Sequence, residues 1–359
     1  MRSLRLVTVR VLVAMSGGVD SSVAAARLVE AGHDVVGATL KLWGGPSDSG
    51  CCSVADVDDA RAVAARLGID HHVFNFSDLF ERSVVAPYVE AHRRGRTPNP
   101  CIECNRHVKF GALLERAGRL GYEALATGHH ARVVPEPGTG PGTGSRLARG
   151  IDRAKDQSYV LSMLTSSQLD QLLLPVGELT KAQVRAHATR LGLGTAAKPD
   201  SQDVCFIESG AGRGGFLGER LTLHAGEVVD AGGAVVGSVP AVELVTLGQR
   251  RGLGVAVDGR RRFAVSVDVE ARRVVVGDRD AATTRRVGLE AVTWVGRPLQ
   301  AGAPTLAQAS AHGAAAPAHW DGEGVRFESP TALVAPGQTL ALYDPDAPEL
   351  VVGAGVAAS

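Results

Sequence analysis

Ala14-Met15-Ser16-Gly17-Gly18-Val19-Asp20-Ser21-Ser22 links an apolar run, Val11–Met15, to a helical pattern over Ser21–Glu30. A buried strand that enters a helix through two adjacent glycines is the opening βα unit of a parallel sheet. The glycines let the backbone turn sharply and approach a ligand closely. Exposed N–H groups and the helix N-terminus make the turn an anion site, and the hydroxyls of Ser16, Ser21 and Ser22 add donors. Asp20 would repel a phosphate on its own, and makes sense there if it holds Mg2+ bridging the phosphate oxygens. The Gly-Lys-Ser/Thr ending of a Walker A loop is absent.

Outward from this turn, strands and helices alternate. The pattern predicts strands at Asp34–Leu42, His72–Phe76 and Ala124–Thr127. It predicts helices at Ala55–Leu67, Ser77–Arg94 (broken at Pro87) and Val108–Leu120. Such alternation implies a parallel sheet covered on both faces. Pro135–Ser145, PEPGTGPGTGS, reads as a surface loop. Gln157–Leu164, Ser167–Leu172 and Lys181–Leu191 read as helical, and Lys198–Phe206 as a loop. Beyond residue 215 short Val-rich runs recur between Gly, Asp and Pro: Gly226–Val229, Val242–Leu244, Phe263–Asp268, Arg273–Val276, Gly288–Val295 and Thr339–Tyr343. They predict one or two small antiparallel β domains. Ala301–Glu328, rich in Ala and Gly, gives no assignable pattern.

With 359 residues, 45% of them hydrophobic, the chain can build two or three cored domains; 44 glycines and only 4% aromatics argue against a coiled coil or fibre. Lys+Arg and Asp+Glu are both 38, so a nucleic-acid surface requires uneven charge. The distribution is uneven. Arg93, Arg94, Arg96, Arg106, Lys109, Arg116 and Arg119 cluster against three acids, and residues 247–286 hold ten Arg against five acids. The opening MRSLRLVTVR reads as the approach to a first strand and not as a signal peptide. No run approaches the ~20 apolar residues of a membrane span. Five cysteines, an odd number, do not suggest a disulfide framework, and a cytoplasmic location is expected.

Cys101 and Cys104 lie in Thr97-Pro98-Asn99-Pro100-Cys101-Ile102-Glu103-Cys104-Asn105, which two prolines mark as an extended loop before a helix. Arg106, His107, Lys109 and the helix start favour a thiolate at Cys104. Cys205 lies in the loop Asp200-Ser201-Gln202-Asp203-Val204-Cys205-Phe206, and the adjacent Cys51 and Cys52 read as structural or incidental. Spacing alone leaves the CxxC open between half a zinc site, a redox pair and a catalytic thiol.

SGGVDSS resembles the pyrophosphate-binding loop of the ATP pyrophosphatase superfamily, whose members cleave ATP between the α and β phosphates and adenylate a substrate. With TPNPCIECNRHVKFG, ATGHHAR, KDQSYVL, PVGELTKAQVR, SQDVCFI, LGQRRGLG and APGQTLALYD, in that order along almost the whole chain, the sequence resembles the tRNA-specific 2-thiouridylase family. The resemblance implies a doubly wound α/β catalytic domain over residues 1–212. A small central β domain would follow over 213–284, and an antiparallel β-barrel-like, tRNA-binding domain over 285–359. It implies thiolation of carbon 2 of the wobble uridine in tRNAs of the Lys, Glu and Gln type, with ATP and Mg2+. A cysteine desulfurase or a sulfur-relay protein would supply the sulfur, and no membrane is involved.

By the same resemblance, ATP would be held by Ala14, Met15, Ser16, Gly17, Gly18, Val19, Asp20, Ser21, Leu40 and Gly128. Asp20 would also serve catalysis. Cys205 would carry a persulfide and Cys104 would be the nucleophile that frees its sulfur, leaving a Cys104–Cys205 disulfide after turnover. Asn99, Pro100 and Cys101 would touch the target base, and His129, Lys155, Asp156, Gln157 and Gln338 the tRNA. Two departures stand out. Many family members carry an acidic residue where this chain has Cys101. A third thiol opens a second reading, in which Cys101, Cys104 and Cys205 ligate a [4Fe–4S] cluster whose fourth iron binds sulfide. Ala307–His312 also lacks an Arg–aromatic pair that contacts tRNA in many members.

Overall fold

Val11, Leu12 and Val13 are fully buried, and they face two different cores. Leu12 joins one apolar cluster, while Val11, Val13 and Met15 join another. A strand apolar on both faces must run inside a sheet covered on both sides. The computed structural model describes residues 8–43, 53–136, 144–200, 204–207, 210–253 and 262–358. Cys51, Cys52 and most of the predicted PEPGTGPGTGS loop lie outside the described residues.

The first seven strands are β1 (Arg10–Ala14), β2 (Asp34–Lys41), β3 (His71–Asn75), β4 (Ala124–Thr127), β5 (Ala131–Pro135), β6 (Ser145–Arg149) and β7 (Leu172–Leu173). Five of them form a sheet in the order β3-β2-β1-β4-β7, parallel throughout. The chain leaves β1 for β2 and β3, then returns to β4 on the other side of β1. That reversal opens a crevice at the carboxyl ends of β1 and β4, the usual ligand position in such sheets. β5 and β6 form a separate hairpin around the predicted loop. The hairpin and the two-residue β7 were not predicted.

Helix α1 (Val19–Glu30) follows the glycine turn, and α2 (Val54–Leu67) runs from a Ser53 cap to a left-handed Gly68. The helical run from Ser77 to Arg93 continues through Pro87. A widened π turn, Glu81–Val85, precedes the proline and accommodates its missing N–H. The next helical run begins at Pro100, eight residues ahead of the predicted Val108. The CxxC is therefore not an extended loop. The Asn99 side chain caps the helix by accepting from the Cys101 N–H, and Pro100 occupies a first-turn position where no N–H is needed.

Beyond residue 215, β8 (Gly226–Val229), β9 (Val235–Val239), β10 (Phe263–Asp268) and β11 (Arg273–Gly277) form a sheet in the order β10-β11-β8-β9. Its β8–β11 pair is parallel, so this sheet is mixed and not antiparallel. The predicted strand Val242–Leu244 is a 3-10 turn whose Val242 is buried in the local core. The last six strands are β12 (Thr283–Trp294), β13 (Pro304–Gln308), β14 (Ala316–Trp320), β15 (Gly324–Ala332), β16 (Thr339–Tyr343) and β17 (Val351–Ala357). They close an antiparallel barrel in the order β12-β15-β14-β13-β16-β17. The unassignable Ala301–Glu328 supplies β13, β14 and part of β15. Small side chains fill the tight barrel there and leave little polar contrast along the strands.

The barrel docks on the first domain through a shared core. Val295, Ala341, Tyr343, Val351 and Ala354 belong to the same apolar cluster as Leu12 and Leu125. The Arg149 guanidinium lies 3.7 Å from the Tyr343 ring centroid and donates to Asp156 (2.9 Å) and Gln308 (2.6 Å). The Tyr343 hydroxyl is 3.1 Å from Ser158 Oγ, and Tyr159 donates to the carbonyl of Thr339 at 2.9 Å. Burial pushes the Tyr343 hydroxyl up to about 12. We predict that Tyr343→Phe costs about 1 kcal/mol, one buried hydrogen bond, and Tyr343→Ala about 3–5 kcal/mol. Urea denaturation of both variants checks the order; equal losses would contradict it.

Candidate functional site

The turn between β1 and α1 takes its shape from two glycines and its own hydroxyls. Gly17 has φ +70°, and a Cβ there would overlap the Asp56 carbonyl at the start of α2. The Ser16 N–H donates to Ser21 Oγ (3.2 Å), and Ser21 and Ser22 donate to the Gly18 carbonyl (3.1 and 2.8 Å). Ser22 is fully buried and accepts from Thr195, so it faces the interior and not an anion. Met15 and Val19 are also buried, and Ala14 is partly so. Of the predicted ATP set, Ser16 is exposed, and Ala14, Gly18, Asp20 and Gly128 keep part of their surface accessible. Leu40 is buried near the end of β2, in the same cluster as Cys104. Gly128, just past β4, has no room for a side chain, because a Cβ would stand 2.5 Å from the Ser21 nitrogen. Its bareness lets the end of β4 press on the first turn of α1.

Asp20 is the hub of an ionic network. Its oxygens lie 2.8 and 2.7 Å from Lys181 Nζ, and one is 3.0 Å from His130 Nε2. Burial opposes its ionisation, but hydrogen bonds from His130 and Lys181 prevail and hold the carboxyl below its usual value. Lys181 also reaches Asp200 at 2.8 Å, which pairs with Lys155 (2.8 Å) and Arg185 (2.9 Å). His129, the histidine expected near tRNA, hydrogen-bonds Thr127 Oγ1 at 2.7 Å and lies 5.7 Å from the Phe110 ring. Burial, then the nearby charges of Lys109 and His130, push it down to about 3, so it is neutral. The sequence reading missed His130, Lys181, Asp200 and Arg185. Their motif strings were legible, but nothing in the spacing showed that they meet Asp20.

Cys101 is exposed and Cys104 buried, one turn apart on the helix that starts at Pro100. Cys205 is partly buried and packs against the apolar cluster that contains Cys104. The neighbouring Phe206 anchors it, with its ring 5.0 Å from Phe216 and 5.6 Å from both Phe80 and Tyr88. A chain poor in aromatics concentrates them here. One cavity of about 510 Å³ is lined by Asn99 and Pro100 from the CxxC segment, by Val204 and Ile207 flanking Cys205, and by Ala309–Ala311 and Gln338 from the barrel. Tyr88, His92, Tyr159 and Arg213 complete its wall. The barrel stretch that lacks the Arg–aromatic pair thus still faces this cavity. Among the described residues, no group of three or more His, Cys, Asp or Glu is placed to hold a metal ion. Among the described residues the three thiols are not gathered into one such group. Asp20, a partly exposed carboxylate on the glycine turn, does suit a hard cation such as Mg2+.

Asp156 and Gln157 brace neighbouring segments, while the Lys155 side chain stays 39% exposed beside Asp200. Asp156 receives Arg149, the Gly150 N–H and Ser158, and Gln157 exchanges two hydrogen bonds with the His130 backbone. Much of the first Arg cluster is self-neutralised: Arg93 and Arg94 pair with Glu90, Arg96 with Glu290, and Arg119 with Glu115. Among the described residues, no helix is long and apolar enough to cross a membrane.

A parallel sheet with a glycine turn at its switch point, a carboxylate on that turn, and two cysteine segments at one cavity define an ATP-pyrophosphatase type of nucleotide-binding domain joined to a barrel. The family model described as the tRNA methyl transferase HUP domain matches residues 9–209, and that described as the tRNA methyl transferase PRC-barrel domain matches 214–278. The chain is 46% identical to the tRNA-specific 2-thiouridylase MnmA of Mycolicibacterium paratuberculosis, over 97% of this chain and 99% of that protein. It is also 46% identical to the MnmA of Mycolicibacterium vanbaalenii, over 98% and 99%. The chain belongs to the tRNA-specific 2-thiouridylase family.

Two outcomes follow from the geometry. Gly128→Ala forces the first turn of α1 away from β4, so it should lower both the melting temperature and the affinity for ATP; unchanged ATP affinity in calorimetry would contradict the close approach. His129, whose ordinary value is 6.5, holds no proton in the fold until about pH 3. Below pH 6.5 the unfolded chain therefore binds a proton that the folded one refuses, and the His129 contribution to stability is lost as pH falls. NMR titration should show the His129 ring still neutral at pH 5; a midpoint near 6.5 would contradict the lowered value.

Proposed function

We propose that this protein thiolates carbon 2 of the wobble uridine of tRNA, consuming ATP and a protein-borne persulfide. The observation that carries this reading is the single cavity walled by the CxxC segment, the Cys205 segment and the barrel. Family membership and the glycine turn support it. A urea-like carbonyl oxygen is a poor leaving group. Attack of that oxygen on the α phosphorus of ATP expels pyrophosphate and converts it into an AMP ester. The terminal sulfur of a Cys205 persulfide then attacks carbon 2, and AMP leaves with the original oxygen. The Cys104 thiolate attacks the Cys205 sulfur, which frees 2-thiouridine and leaves a Cys104–Cys205 disulfide for an external reductant.

In this reading Ser16–Ser21 grip the phosphates with backbone N–H groups and the α1 N-terminus, and Asp20 holds Mg2+, which neutralises phosphate charge when bound. Asn99, Pro100 and Cys101 meet the flipped base, and Gln338 reaches the tRNA from the barrel. Residues 1–212 carry the chemistry, while 213–284 and 285–359 hold the tRNA. Lys-, Glu- and Gln-type tRNAs are the substrates, and a cysteine desulfurase or relay protein loads Cys205. The cytoplasm, where thiols stay reduced, is the matching compartment.

The test is thiolation of transcript tRNA with ATP and a sulfur source. Cys104→Ala and Cys205→Ala should each cut the rate by at least about a hundredfold, while Cys101→Ala, which removes a base contact but no reacting sulfur, should cost far less. Activity surviving loss of Cys104 or Cys205 would overturn the reading. Loss with Cys101→Ala, together with bound iron, would favour the cluster alternative.

A further inference from the structure

Arg213 sits in the first turn of the short helix Gly212–Gly218. A helix start favours acids over bases, so the helix gives no reason for a cation there. The guanidinium donates to the Leu244 carbonyl at 2.7 Å. Among the described residues that is its one hydrogen bond, and no carboxylate pairs with it. Arg93, Arg94, Arg96 and Arg119, by contrast, each sit on a glutamate. Arg213 is partly buried and lines the cavity of about 510 Å³, as do Tyr88 and His92. Burial lowers His92 against a hydrogen bond to the Tyr88 carbonyl, and the Arg213 charge lowers it further. Burial also raises the Tyr88 hydroxyl. Both side chains are therefore neutral near pH 7. The rest of the described wall is Thr97, Asn99, Tyr159, Ser310, Gln338 and apolar residues. Among the described residues the cavity thus carries one formal charge, a positive one, and no acid.

A guanidinium that spends one nitrogen on a neutral carbonyl keeps most of its five N–H donors for a ligand. Its planar fork matches the paired oxygens of a phosphate. The uracil base that the proposed function places in this cavity is neutral, so the base does not answer the charge. The phosphates on either side of that nucleotide do. We infer that Arg213 is a phosphate-binding residue: when the target uridine flips into the cavity, the guanidinium grips a phosphate that flanks it. The bond to Leu244 orients the guanidinium before the nucleotide arrives. The contact forms only with the nucleotide extruded, so it offsets part of the unstacking cost of flipping. This inference rests on the reading that the cavity receives the target uridine.

The experiment measures the affinity of the intact protein for tRNA bearing the wobble uridine, by fluorescence anisotropy across a salt series. Arg213→Gln keeps a donor for Leu244 and removes the charge. It should weaken tRNA binding about tenfold, the loss of one charge-assisted contact, and lower the salt slope by about 1. Its affinity for a non-hydrolysable ATP analogue should not change. Arg213→Lys should recover much of the lost tRNA affinity and of the slope. Synthetic tRNAs with a neutral methylphosphonate at one or the other phosphate flanking the uridine locate the contact. At one of the two positions the wild type should lose about tenfold and Arg213→Gln nothing further, as for a shared interaction. Wild-type tRNA affinity and salt slope in Arg213→Gln would overturn the inference. So would a wild type indifferent to both methylphosphonates, a result that does not depend on how the variants fold. Weaker ATP-analogue binding with intact tRNA binding in Arg213→Gln would also overturn it, by moving the guanidinium to the triphosphate. A wild type that leaves this tRNA unthiolated with ATP and a sulfur source would instead sink the proposed function itself.

Discussion

The close approach of the end of β4 to the first turn of α1 is the constraint on which the site depends. Gly128 and Gly17 each stand where a single carbon would collide with neighbouring backbone. Bare Gly128 lets the end of β4 meet the first turn of α1, and bare Gly17 lets the turn pass the start of α2. Asp20, from the α1 side, then comes within hydrogen-bond reach of His130, which follows β4, and of Lys181, which opens a later helix. Three distant stretches of sequence meet at one carboxylate beside a strand end that carries no side chain.

From that carboxylate the structure extends in two directions. Through Lys181 it reaches Asp200, and with it Lys155 and Arg185. Through Gln157, which holds the His130 backbone, it reaches Asp156, Arg149 and the barrel residue Tyr343. The barrel is thus bonded to the catalytic sheet by buried, mutually satisfied polar groups set in a continuous apolar core. The cavity of about 510 Å³ lies between the cysteine segments and the barrel strand ends.

Much of this was legible in the sequence. The period-two and helical patterns placed β1, β2, β4, β8, β10 and β16 within a residue, because apolar runs flanked by Gly and Asp leave few alternatives. The glycine turn was legible because its residue types are unusual together. Pro98 and Pro100 misled, since a proline reads as a breaker until its capping Asn99 is recognised. The barrel strands β13 and β14 were hidden because Ala and Gly, which suit a tight barrel interior, carry no polar alternation. The Asp20 network was illegible for a different reason. Ion pairs spanning 110 and 161 residues leave no periodic trace, so nothing along the sequence joined Lys181 and His130 to Asp20.

The central claim is that two cysteines far apart in the chain act on one base at this cavity. Peptide mapping of the enzyme, quenched under acid after a single round of tRNA thiolation without reductant, tests it most directly. The account predicts a new Cys104–Cys205 linkage in amounts matching the thiolated tRNA. Thiolated tRNA formed with both cysteines unlinked, or linked through Cys101, would contradict it.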